Sequence, residues 1–121
     1  MTPVATFELD HVADVGSGVT LVALAGELDL TNVDDLEDEL GRVTNRDRLV
    51  LDLNRLVFVD SAALHRFFRI VRERGAAGVA FVIEPTAPVA GTLSIVELSR
   101  AATVASTRDE ALAALDRARS R

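Results

Sequence analysis

Leu49-Val50-Leu51-Asp52-Leu53-Asn54-Arg55-Leu56-Val57-Phe58-Val59-Asp60-Ser61-Ala62-Ala63-Leu64 decides the fold. Its first part, LVLDL (49–53), is apolar on both sides of the alternation and reads as an interior strand covered on two faces. A short loop then leads into Asp60-Ser61. From Ser61 onward Leu64, Phe67, Phe68 and Val71 recur at helical spacing as far as Arg74, and Gly75 is placed to close the helix. The stretch is therefore strand, corner, helix, with Ser61 at or near the N-cap.

Working outward, VTLVALA (19–25) and VAFVI (79–83) are similar apolar runs. Upstream, Ala5, Phe7, Leu9 and His11 alternate with Thr6, Glu8 and Asp10, the pattern of an edge strand with one wet face. The turn-rich Asp14-Val15-Gly16-Ser17-Gly18 joins this strand to the next, so an antiparallel hairpin is expected. Thr31 to Thr44 places Val33, Leu36, Leu40 and Val43 on one helical face, and Thr31-x-x-Asp34 has the spacing of a capping box. Val89 to Leu98 forms a shorter helical pattern after Pro88, with Leu93 and Val96 in phase, and Ala102 to Ala105 reads as a last short strand. Thr107-x-x-Glu110 opens a final helix with Ala111, Leu112 and Leu115 facing inward and Arg117, Arg119 and Arg121 at its negative end.

The order is thus β-β-α-β-α-β-α-β-α. Strands that alternate with helices imply parallel pairing through right-handed crossovers. The expectation is one α/β domain over residues 1–121, with a mixed, mostly parallel sheet of about five strands, an N-terminal hairpin and about four helices.

Composition excludes several chemistries. The 121 residues are 49% hydrophobic, with five Phe but no Trp, Tyr or Cys, so the core is aliphatic and there is neither a disulfide nor a thiol nucleophile. Two histidines, His11 and His65, are too few for an ordinary His-rich metal centre. All thirteen basic residues are Arg, against nineteen acids, for a net charge of −6. An acidic chain without stacking aromatics is a poor match for nucleic acid or anionic lipid. No apolar run is long enough to span a bilayer, and the N-terminus has no basic region of the secretory kind. A cytoplasmic domain that works through another protein is expected, with no cofactor.

Ser61 is open to two readings. As a cap it contributes roughly 1 kcal/mol by accepting an amide N–H. As a modification site it exploits the same geometry, because a helix N-terminus favours a phosphate, which brings about −1.5 to −2 charges. Asp29, just before Thr31, assists the first helix or faces a partner. His65 lies one helical turn after Ser61 and reads as exposed or partner-facing rather than as a general base. The acids from Asp34 to Glu39 read as a solvated helix face, and Phe67-Phe68 must include a core residue. If the other of that pair is exposed it becomes an anchor for association, and Phe58 is a weaker one.

The stretch Leu51-Asp52-Leu53…Val57-Phe58-Val59-Asp60-Ser61-Ala62-Ala63-Leu64 resembles the signature of the STAS domain, the family that includes the bacterial anti-anti-sigma factors, or anti-sigma factor antagonists. Gly26-Glu27-Leu28-Asp29 is similar to the family's motif after its second strand. The resemblance implies that Ser61 is phosphorylated by an anti-sigma factor that is also an ATP-dependent serine kinase, and restored by a serine phosphatase. It also implies a partner surface made of Asp29, Asp60, Ser61, Ala62, Ala63, Leu64 and His65. Ala62 and Ala63 depart from the usual Ser/Thr and Gly, and a methyl group in place of that Gly is expected to crowd an approaching kinase.

The expected function is a phosphorylation-switched antagonist that controls sigma-factor-dependent transcription and catalyses nothing itself. The alternative is a STAS scaffold subunit that docks an ATPase constitutively, as in lipid-transport ABC assemblies. A serine hydrolase is disfavoured because there is no Gly-x-Ser-x-Gly elbow, and a nucleotide enzyme because there is no Lys at all.

Overall fold

The apolar runs become strands of one mixed sheet. The computed structural model describes residues 5–14, 18–43, 48–75, 77–91 and 93–119. In chain order the elements are β1 (Phe7–Asp14), β2 (Val19–Leu28), α1 (Val33–Val43), β3 (Arg48–Val59), α2 (Ser61–Arg74) and β4 (Val79–Val82). A 3₁₀ turn (Pro88–Gly91), α3 (Leu93–Ala101), β5 (Thr103–Ala105) and α4 (Arg108–Arg119) complete them. The strands lie in the order β1-β2-β3-β4-β5. The β1–β2 pair is antiparallel and the others are parallel, as the hairpin and the crossovers implied.

Sequential crossovers of one hand put α1, α2 and α3 on the same face of the sheet. There Leu36, Leu40, Phe67, Ile70 and Leu98 pack on Val22, Leu24, Leu49, Leu51 and Phe81. Phe67 and Phe81 meet edge to face with ring centroids 5.7 Å apart, the only aromatic pair among the described residues. On the opposite face lies α4, its Ala111 and Leu115 buried against Val19, Leu21, Val50, Ala80 and Val82. Two arginines fasten it. Arg108 donates to the buried Asp52 carboxylate at 2.8 Å, and Arg48 donates to the Leu115 carbonyl at 2.9 Å.

Several boundaries differ from the sequence expectation. β3 does not end near residue 53 but continues to Val59 without a loop, because β2 is long enough to pair with it up to Leu28↔Val59. Two register shifts accommodate that length, between Ala23 and Ala25 and between Gly26 and Glu27 of β2. His11 was expected in phase with Phe7 and Leu9; it pairs with the core residue Val22 just before a shift between His11 and Ala13, and it is exposed. α1 begins at Val33, with Thr31 in the preceding turn. The continuous pattern from Val89 divides into the 3₁₀ turn and α3, and Val96 is exposed rather than inward. The expected turn over 14–18 and the Arg121 tail fall largely outside the described residues.

Other expectations hold. Gly75 ends α2 at φ 80°, its N–H donating to the Val71 carbonyl at 2.7 Å. Thr107 caps α4 by accepting the Glu110 N–H at 3.1 Å, while the Glu110 carboxylate accepts the Ser106 N–H. The acidic face of α1 is not wholly solvated. Asp34 and Glu37 both pair with Arg66 of α2, at 2.6 and 3.0 Å, and these bonds hold the guanidinium pKa above its ordinary value, Asp34 contributing most.

Candidate functional site

The site grows from two chain segments that leave the C-terminal ends of neighbouring parallel strands, β2 and β3. Asp60 joins them. Its backbone N–H donates to the Leu28 carbonyl at 3.1 Å, extending the sheet by one bond. Its extended backbone, at φ −90° and ψ −178°, makes it the N-cap of α2, and Oδ1 accepts the Ala63 N–H at 2.9 Å. Oδ2 accepts the Leu30 N–H at 3.1 Å. One carboxylate therefore caps a helix and clasps the neighbouring turn.

This moves the cap by one residue. Ser61 was expected at or near the N-cap; it is the first helical residue, because the Asp60 carboxylate takes the capping role. The Ser61 side chain is exposed, and its hydroxyl makes no hydrogen bond among the described residues.

The other segment is held by its own side chains. The Asp29 carboxylate accepts the Thr31 N–H at 2.8 Å and also the Thr31 hydroxyl, while its carbonyl accepts the Asn32 and Val33 amides. Asn32 is the buried pin of this turn. Its Oδ1 accepts the Asp29 N–H at 2.9 Å, and Nδ2 donates to the carbonyls of Glu27, at 2.9 Å, and Ala5, at 3.2 Å. Sequence reasoning passed over Asn32, since a lone Asn beside a helix start carries no periodic signal. It also passed over Leu30, which is 73% exposed at the tip of the turn.

Gly26 explains the first residue of the Gly26-Glu27-Leu28-Asp29 motif. It sits at φ 98°, and a Cβ there would lie 2.5 Å from the Thr6 carbonyl oxygen. That carbonyl accepts the Glu27 N–H at 2.8 Å. The glycine lets β1 close over β2 where the turn begins.

The expected surface residues separate into two groups. Asp29, Asp60 and Ala62 are half-buried, and Ser61 and His65 are exposed. Ala63 and Leu64 are buried, Ala63 completely, and the Ala63 methyl packs into the core beneath α2. The expectation that Ala63 crowds a partner is therefore corrected: the helical phase turns its methyl toward the sheet. Leu64 is also buried. Phe67 is the buried member of its pair and Phe68 is half-buried against the same core, so neither is a free anchor, whereas Phe58 is 48% exposed. No hydrogen bond joins Ser61 to His65 among the described residues. No group of three metal-ligating side chains occurs among the described residues, and none of their helices is long and apolar enough to cross a membrane.

Comparison with known proteins agrees with this architecture. No curated protein matches the chain. Among solved structures, an anti-sigma factor antagonist from Mycobacterium paratuberculosis superposes with a TM-score of 0.67 at 24% identity, covering 90% of this chain and 95% of that one. The likeness is one of fold. The STAS domain profile matches residues 10–111, which span β1 to the start of α4 and include both motifs described above. The chain belongs to the STAS domain family.

Proposed function

We propose that this protein is an anti-sigma factor antagonist. Unphosphorylated, it binds an anti-sigma factor of the ATP-dependent serine kinase type and thereby releases a sigma factor for transcription. The kinase transfers the γ-phosphoryl group of ATP to the Ser61 hydroxyl, ADP leaves, and the hydroxyl proton passes to the kinase. A serine phosphatase restores Ser61 with water. The protein needs no cofactor and acts in the cytoplasm.

The observation that carries this reading is the exposed, partnerless Ser61 hydroxyl placed directly after a carboxylate whose two oxygens are already bound to Leu30 and Ala63. The contact surface is then Asp29, Asp60, Ser61, Ala62 and His65, with Ala63 and Leu64 supporting it from below. A phosphate on Ser61 adds negative charge beside Asp60. Each ~1.4 kcal/mol of lost interface energy weakens binding about tenfold, and a desolvated like-charge contact costs a few times that. The STAS fold shared with a protein described as an anti-sigma factor antagonist supports the same partner class.

The test is intact-mass analysis of the protein incubated with ATP and a serine-kinase anti-sigma factor. A gain of one phosphate, absent from Ser61→Ala, is the expected result. No gain, together with tight docking to an ABC ATPase, would assign the protein to the scaffold role instead.

A further inference from the structure

Among the described residues, helix α4 shields only part of its sheet face. Its Ala111 and Leu115 cover Leu21, Val50, Ala80 and Val82, toward the N-terminal halves of β2 and β3. Beyond them the face continues across β1 and the C-terminal ends of β2 and β3. The registers define what it carries. Asp10, Ala23 and Asp52 lie in one row, and Asp52 holds Arg108 of α4, so this row is on the α4 side. The next row is Glu8, Ala25 and Arg55, and Arg55 reaches Asp10 at 3.9 Å across β2. Glu27 pairs with Phe58. Their neighbours Leu28 and Val59 point into the opposite core, so alternation turns Glu27 and Phe58 to the α4 side as well.

This half-face combines two features that a merely solvated surface does not require together. Phe58 is 48% exposed, so aromatic carbons stand in water on this face. Around them Glu8, Asp10 and Glu27 outnumber Arg55, and neither Glu8 nor Glu27 has an ion-pair partner among the described residues. The patch is continuous with the corner: Phe58 precedes Asp60 by two residues, and Glu27 precedes Asp29 by two.

We infer that the partner seated at the Asp60–Ser61 corner extends onto this uncovered half-face with a basic segment that sets an apolar side chain against Phe58 and cationic side chains against Glu8 and Glu27. The inference rests on the reading above, in which that partner is the anti-sigma factor. Phe58 supplies desolvated contact area, which governs dissociation, while the carboxylates steer approach and govern association. A basic segment is the occupant that the charge selects; a second copy of this acidic chain would bring like charges together.

The experiment measures binding kinetics of the serine-kinase anti-sigma factor to the wild type, Phe58→Ala, Glu27→Arg and Ser61→Asp, with a thermal melt of each. Phe58→Ala is expected to weaken binding about tenfold or more through faster dissociation. Glu27→Arg, an exposed change that spares the core, is expected to slow association and flatten its salt dependence. Wild-type kinetics for both variants, with binding abolished by Ser61→Asp, would overturn the inference and leave the antagonist reading standing. Absence of binding by the wild type would overturn both. A homodimer in light scattering that Phe58→Ala dissolves would assign the face to a second copy, and so also overturn the inference.

Discussion

Asp60 holds Leu30 across a separation of thirty residues, its Oδ2 accepting the Leu30 amide while Oδ1 caps α2 at Ala63. The corner that carries Ser61 and the turn that carries Asp29 are thereby one unit. The side chain that fixes the start of the helix also fixes the neighbouring loop.

Removing that carboxylate tests the coupling. Asp60→Ala is expected to lower stability by roughly 1–1.5 kcal/mol, about 1 for the cap and a few tenths for the exposed Leu30 amide, which water can serve instead. Asp60→Asn retains a carbonyl oxygen that can cap Ala63 and is expected to lose only a few tenths of that. Urea denaturation of the variants measures both, and faster amide exchange at Leu30 in Asp60→Ala locates the second loss.

Gly26→Ala tests the hinge of the motif. The residue combines φ 98° with a Thr6 carbonyl oxygen only 2.5 Å from where a Cβ would stand. Backbone strain of this kind costs on the order of 1–3 kcal/mol, and the clash adds displacement of β1. A loss of more than about 2 kcal/mol in chemical denaturation is expected. The control is Gly41→Ala, where nothing lies within contact and the change is expected to be neutral or stabilising.

Ala63→Gly separates stability from recognition. The methyl is buried in the core beneath α2, so its removal is expected to cost roughly 1–2 kcal/mol through helix propensity and lost packing. Because the methyl faces the sheet, the rate of Ser61 phosphorylation is expected to stay within about twofold of wild type under conditions where both are folded. A large acceleration would return Ala63 to the contact surface.

These positions also show what the sequence disclosed. The element order followed from hydrophobic period, because each strand and helix buries a face whose spacing is written locally. The cap at α2 was displaced by one residue because Asp60 and Ser61 are both good N-caps, and only the proximity of Leu30 favours the carboxylate. The inward direction of Ala63 was legible in principle, since it shares a face with Phe67 and Ile70, but the motif drew attention to its identity rather than its phase. The length of β3 and the uncovered half-face were not legible, because they depend on how far β2 and α4 reach. Asn32 belongs with these in part: Asp29 and Glu27 are its near neighbours in the chain, but its third partner, Ala5, is brought to it only by the hairpin.

The most direct test of the account is the affinity of the serine-kinase anti-sigma factor for this protein before and after stoichiometric phosphorylation, measured by calorimetry with Ser61→Ala as the unmodifiable control. The account predicts tight binding by unmodified protein and by Ser61→Ala, and a loss of at least about a hundredfold, near 3 kcal/mol, once Ser61 carries phosphate. Equal affinity for the phosphorylated and unphosphorylated forms would contradict it.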